Sequence, residues 1–161
     1  MLFTGSSATK HIKYLEGEKV SLLAKEHNNS MITVLDGKET VVDTYDFMGT
    51  RERIEEFDEE IMKLKHALNV FNTTTTIKCG LTIDAALVKL AQLNKELAIV
   101  SEMKDRPREK VESSYAGQVM KKINYDLEEV SLYHRELVKQ IHELQMQIDV
   151  VNLTNTFEVE L

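Results

Sequence analysis

Tryptophan is missing from this chain, and proline and cysteine occur once each, at Pro107 and Cys79. One thiol excludes any disulfide within the chain, and with it the disulfide-stapled folds of small secreted proteins; a reducing compartment is the expectation. One proline and six glycines leave little to interrupt regular elements, so long helices are open to this sequence. Aromatic residues make up 6% of 161 residues, a supply that suits long helices with narrow apolar seams better than a thick core. No apolar run approaches the roughly 20 residues that span a bilayer. Met1-Leu2-Phe3-Thr4-Gly5 turns polar at once and lacks the apolar core of a signal peptide, so the expected location is cytoplasmic, with no membrane partner. On that ground the sequons beginning at Asn28, Asn72 and Asn152 are read as chance. Positive charge is also in deficit. The net charge is −7, which argues against a dedicated nucleic-acid binder and against adhesion to an anionic membrane.

What is present is periodicity. From Asp126 to Val151, Val130, Leu137, Ile141, Leu144, Ile148 and Val151 recur at steps of three and four, with His134 in the one gap. That spacing puts one apolar seam on a final helix at 126–153, with Asp126 as cap and Glu129 three residues on. A second series, Ile54, Phe57, Ile61, Leu64, Leu68 and Phe71, keeps strict heptad spacing behind a helix start at Thr50. A third, Ile83, Ala86, Leu90, Leu93, Leu97 and Val100, follows Gly80 and Thr82. Ala8, Ile12, Leu15 and Leu22 mark a weaker first helix, ending near Asn28-Asn29-Ser30.

Between the helices the period changes. Asp36-Gly37 lies between the β-branched residues Ile32, Val34, Val41 and Val42, which predicts a β-hairpin insertion over 31–44. The run Thr73–Thr76 predicts an extended connector. Residues 104–125 read as a long loop around Pro107, with a short strand near 118–124. The tail from Asn152 to Leu161 reads as frayed or weakly extended. The expected fold is therefore mainly α: one domain over 1–161, an antiparallel helical hairpin or coiled-coil bundle of about four helices with a small β-hairpin. The second and fourth helices are the expected antiparallel pair.

The order of parts resembles the septicolysin-like family of uncharacterised bacterial helical proteins. The resemblance rests on Leu68-Asn69-Val70-Phe71-Asn72-Thr73, Leu81-Thr82-Ile83-Asp84-Ala85-Ala86-Leu87 and Leu144-Gln145-Met146-Gln147-Ile148-Asp149-Val150-Val151-Asn152. It would extend over nearly the whole chain, and it departs where Leu153, in place of a tryptophan, follows Asn152. The resemblance implies an oligomeric helical-hairpin protein, with no catalytic residues to carry over.

Three functional readings come from the residues. On the last helix a second apolar edge, Leu132, Met146, Val150 and Leu153, exceeds what a two-helix pair can bury. It makes a self-assembling structural or interaction protein the leading expectation, a homo-oligomer without a cofactor, with His134 setting register in the seam. The second reading is a binding module for RNA or a phosphorylated ligand through loop 104–122, where Arg106, Arg108, Lys121 and Lys122 could hold an anion and Tyr115 and Tyr125 lie close by. Asp105, Glu109 and Glu112 dilute that charge. The third is a metal-binding helical-bundle enzyme or metalloprotein using His134 with His66 or glutamates. It lacks the Glu-x-x-His pairs of di-iron bundles, and His142-Glu143 has Met146 where a zinc protease has its second histidine. Cys79 has no neighbouring base, and no nucleophile elbow, dinucleotide fingerprint or phosphate loop occurs. No catalytic or metal residues are assigned, and the expectation is that the chain is not an enzyme.

Overall fold

The structure is a computed structural model that describes residues 1–32, 34–35, 38–39, 44–115 and 117–161. The chain is mainly α. Its elements run β1 (Leu2–Thr4), α1 (Gly5–Asn29), β2 (Val34–Leu35), β3 (Lys38–Glu39), α2 (Phe47–Thr74), α3 (Ile83–Asp105), β4 (Glu109–Ser114), β5 (Gly117–Lys122), α4 (Leu127–Thr154) and β6 (Thr156–Glu158). Among the described residues, three sheets of two antiparallel strands form: β1 with β6, β2 with β3, and β4 with β5. The chain divides into two compact units, 1–74 with 151–161, and 75–150.

In the first unit, α1 starts at a capping box. Thr4 Oγ1 accepts the Ser7 backbone N–H at 3.1 Å, and Ser7 Oγ accepts the Thr4 N–H at 2.8 Å. The α1 seam, Ala8, Ile12 and Leu15, is buried against Phe57, Ile61 and Leu64 of α2, with Phe3 and Val159 closing the end of the cluster. The second helix thus meets its heptad partner in the first helix, where the sequence suggested the fourth. Ion pairs join the two helices as well. Lys19 Nζ reaches both carboxylate oxygens of Asp58 at 2.6 Å, Lys65 Nζ meets Glu16 Oε1 at 2.7 Å, and His11 Nε2 lies 2.9 Å from Glu60 Oε1. Arg51 pairs with Glu26. The acidic first half of α2 faces lysine and histidine on α1. Each exposed pair contributes about 0–1 kcal/mol, so the ladder fixes register while the seam supplies most of the stability.

Two boundaries differ from the sequence reading. Helix α2 starts three residues earlier than Thr50, because Asp46 accepts the Gly49 backbone N–H at 3.0 Å, and Thr50 instead donates its hydroxyl to the Asp46 carbonyl. At its far end the helix continues into the threonine run as far as Thr74. Thr73 and Thr74 return their hydroxyls to the Asn69 and Val70 carbonyls, so both side chains are satisfied within the helix. Of the two readings of the tail, frayed or extended, the extended one holds. Beyond α4, Phe3 pairs with Phe157 in register, Phe157 lies on Phe71 with centroids 4.8 Å apart, and Val159 is buried.

In the second unit, Thr76 bridges Thr82 and Gly80 takes φ 85° in the turn between them. Thr82 then caps α3 by accepting the Ala85 N–H at 3.2 Å. Buried Ile83, Ala86, Leu93 and Val100 on α3 and Leu137, Leu144 and Ile148 on α4 follow the expected seams. Asp126 caps α4, accepting the Glu128 N–H at 2.8 Å. The span 104–125 is not a long loop with one strand. Six residue pairs, from Glu109–Lys122 to Ser114–Gly117, make it a β-hairpin. At 31–44 the expected pairing is seen as Val34–Glu39 and Leu35–Lys38, while the Asp36-Gly37 turn and Val41–Asp43 lie outside the described residues.

Candidate functional site

Two clefts in the second unit flank Tyr125. The larger is about 680 Å³, lined by Val100 and Met103 of α3 and by Tyr125, Asp126, Glu129, Val130, Leu132, Tyr133 and Glu136 at the start of α4. Its walls are apolar and its rim is acidic. Two hydrogen bonds set the aromatic side chains in place: Tyr125 donates its hydroxyl to the Met103 carbonyl at 2.6 Å, and Tyr133 donates to Glu96. The bond to Glu96 pushes the Tyr133 phenol above its ordinary pKa, since the carboxylate favours the protonated form. Sequence reasoning missed this cleft. Its residues are spread over α3, the segment before α4 and the first turns of α4, and only an α3–α4 pairing brings them together.

The second cleft, about 630 Å³, lies at the root of the hairpin and is lined by Arg106, Pro107, Lys110, Glu112, Lys121, Lys122, Ile123, Asn124 and Tyr125. It gathers three of the four residues suggested for anion binding, Arg106, Lys121 and Lys122. Arg108 lines a different depression with Arg135, Ser131 and Glu128. The cations here already have carboxylate partners. Lys121 and Lys110 converge on Glu112 at 2.5 and 3.0 Å, Lys122 meets Glu109 at 2.8 Å, and Arg106 meets Glu102 at 2.7 Å. The two lysines hold the Glu112 carboxyl below its usual range, Lys121 contributing most through its hydrogen bond. An arriving phosphate would have to compete with these glutamates.

The remaining candidates lie apart from both clefts, except Leu132, which lines the larger one. His134 sits half-buried in the α4 seam with Nε2 3.1 Å from Ser101 Oγ of α3, a polar link across the helix pair at the position expected to set register. Among the described residues, no three histidine, cysteine, aspartate or glutamate side chains come together in a group that could hold a metal. Cys79 is exposed, and its backbone N–H donates to Gln147 Oε1 at 2.9 Å. The second edge of α4 is open: Leu132, Met146, Val150 and Leu153 are each more than half exposed. Among the described residues, no helix is long and apolar enough to cross a membrane.

No family model matches the chain, and no curated protein matches it. The chain is similar in fold to the crystal structure of a functionally unknown conserved protein from Corynebacterium diphtheriae. The TM-score is 0.67 at 16% identity, over 98% of this chain and 100% of that one. At that identity the likeness concerns the fold alone.

Proposed function

We propose that the chain is a cytoplasmic self-assembling structural or interaction protein, a homo-oligomer built on helical pairs and not an enzyme. The septicolysin-like resemblance, with the bacterial origin it implies, is consistent with that reading. The observation that carries it is the second edge of α4, where Leu132, Met146, Val150 and Leu153 are each more than half exposed; exposed apolar surface gathered along one element marks an interaction site. Sedimentation velocity between micromolar and hundred-micromolar protein tests the proposal. The expected result is an oligomer that Met146→Glu with Val150→Glu drives toward monomer. A wild-type monomer across the whole range would overturn it.

The anion-binding reading is weaker, because Glu109 and Glu112 already hold the hairpin lysines.

A further inference from the structure

The larger cleft, about 680 Å³ between α3 and the start of α4, has the size of a small-molecule pocket. Such pockets run to roughly 300–1,000 Å³ and combine apolar walls with a few placed polar groups. Val100, Met103, Val130 and Leu132 supply the walls. The polar groups are all of one kind. Tyr125 gives its hydroxyl proton to the Met103 carbonyl and Tyr133 gives its proton to Glu96, so each offers a ligand its ring and no donor. The other polar side chains of the lining are the carboxylates of Asp126, Glu129 and Glu136, and among the described residues no lysine, arginine or histidine joins them. Every polar side chain in the cleft therefore accepts and none donates. An anion finds no side-chain partner here, whereas a cation with N–H groups does.

The carboxylates also have an arrangement. Asp126 is engaged by the cap of α4, where Oδ1 accepts the Glu128 N–H at 2.8 Å. Glu136 accepts the Gln140 amide at Oε1, 3.4 Å away, and keeps its other oxygen. Among the described residues, no ion pair joins Glu129 or Glu136 to a cation. The two lie seven residues apart on α4, two turns or about 10 Å along the axis, with Val130 and Tyr133 between them. They do not converge as metal ligands do, since no three such side chains come together among the described residues. They bracket apolar and aromatic surface instead.

We propose that this cleft binds a linear aliphatic diamine, with one ammonium group on Glu129, the other on Glu136, and the methylene chain along Val130 and Tyr133. Charge complementarity selects the ends, the apolar wall selects the middle, and the tyrosine rings favour a cation further. The inference is independent of self-assembly, because Leu132 alone of the open α4 edge belongs to the cleft.

Calorimetric titration of the full chain at low salt tests it, with 1,8-diaminooctane as probe. The expected result is one diamine per chain. The shorter 1,3-diaminopropane reaches one carboxylate and binds about tenfold more weakly, as does the long diamine to Glu129→Gln or Glu136→Gln, each having lost one charge-assisted hydrogen bond. Octane-1,8-diol and octanoate do not bind. Glu143→Gln, on α4 outside the cleft, keeps full affinity, and unchanged urea midpoints show that the variants fold. No heat from the long diamine at millimolar concentration would overturn the proposal. So would equal binding of the two diamines, or equal losses in Glu143→Gln and Glu129→Gln, which would mean attraction to the net charge of the chain. Sedimentation of the same samples reads self-assembly separately, and the Met146→Glu, Val150→Glu chain binds the diamine as the wild type does, so either reading can fail without the other.

Discussion

The β1–β6 sheet has three residue pairs and the β4–β5 hairpin has six, yet the shorter one is the better anchored. Phe3 and Val159 lie inside the α1–α2 cluster, and Phe157 rests on Phe71. The hairpin has twice the ladder and exposes Val111, Val119 and Met120. A backbone hydrogen bond exchanged for one with water contributes only about 0.5–1.5 kcal/mol net. Burial contributes about 25 cal/mol per Å² of apolar surface, so side-chain destination matters more than ladder length. The comparison also separates two roles. The short sheet belongs to the core of its unit, while the hairpin presents surface.

The largest expected effect follows from the anchored side. Phe3→Ala empties a buried aromatic site and should lower stability by about 3–5 kcal/mol in urea unfolding. Val111→Ala, at dilutions where the chain is a monomer, should change stability by no more than about 0.5 kcal/mol. Equal losses at the two positions would break the comparison and place the hairpin in a core.

Next comes the close approach at the start of α1. A Cβ on Gly5 would lie 2.3 Å from Asn152 Oδ1 and 3.3 Å from Phe71 Cε1. Gly5→Ala must displace the Asn152 amide and also crowds the Phe71 ring, and overpacking of this kind costs about 1–3 kcal/mol. A double variant with Asn152→Ala should recover part of the loss, and failure to recover any of it would mean that the Phe71 contact dominates. The capping box stands a step lower. Thr4→Ala removes the side-chain acceptor for the Ser7 N–H and should cost about 0.5–2 kcal/mol, read from the urea midpoint.

Much of this architecture was legible because one rule governs it. All seven seam positions of α4, from Val130 through His134 to Val151, are buried or half-buried. Heptad spacing reports which side of a helix is covered, but it does not say by what. Phe57, Ile61 and Leu64 would fit α4 as well as α1 by spacing alone; the pairs Lys19–Asp58, Glu16–Lys65 and His11–Glu60 join α2 to α1, and spacing along one helix does not report them. The β1–β6 pairing was hidden for a related reason. Three-residue strands at Leu2 and Thr156 have too little alternation to register, and their significance comes from meeting each other. The hairpin at 109–122 was half-legible. Val119, Lys121 and Ile123 alternate as a strand should, whereas Glu109–Ser114 is polar and reads as loop until its partner is known. The apolar cleft had no local signal, since Met103 and Tyr133 become neighbours only through the α3–α4 pairing.

The smallest expected effect concerns the hairpin's own charges, and it tests whether anything besides its ladder steadies it. Lys121 and Lys110 hold Glu112 below the ordinary carboxylate range. A carboxyl depressed in the folded hairpin stabilises it fully above its unfolded pKa, and that contribution disappears as pH falls through the folded value. Amide exchange at Glu112, Ser113 and Val119 should therefore stay slow from neutral pH down to the usual carboxylate range. Once allowance is made for the intrinsic pH dependence of exchange, it should accelerate progressively from there as pH falls through the depressed folded value. Glu112→Gln should remove the acid-dependent step while keeping the six residue pairs, and salt should shrink it in the wild type by screening the exposed pairs. If Glu112→Gln kept the step, the ladder would be responding to another carboxylate, and Glu109, paired with Lys122, would be the group to change next.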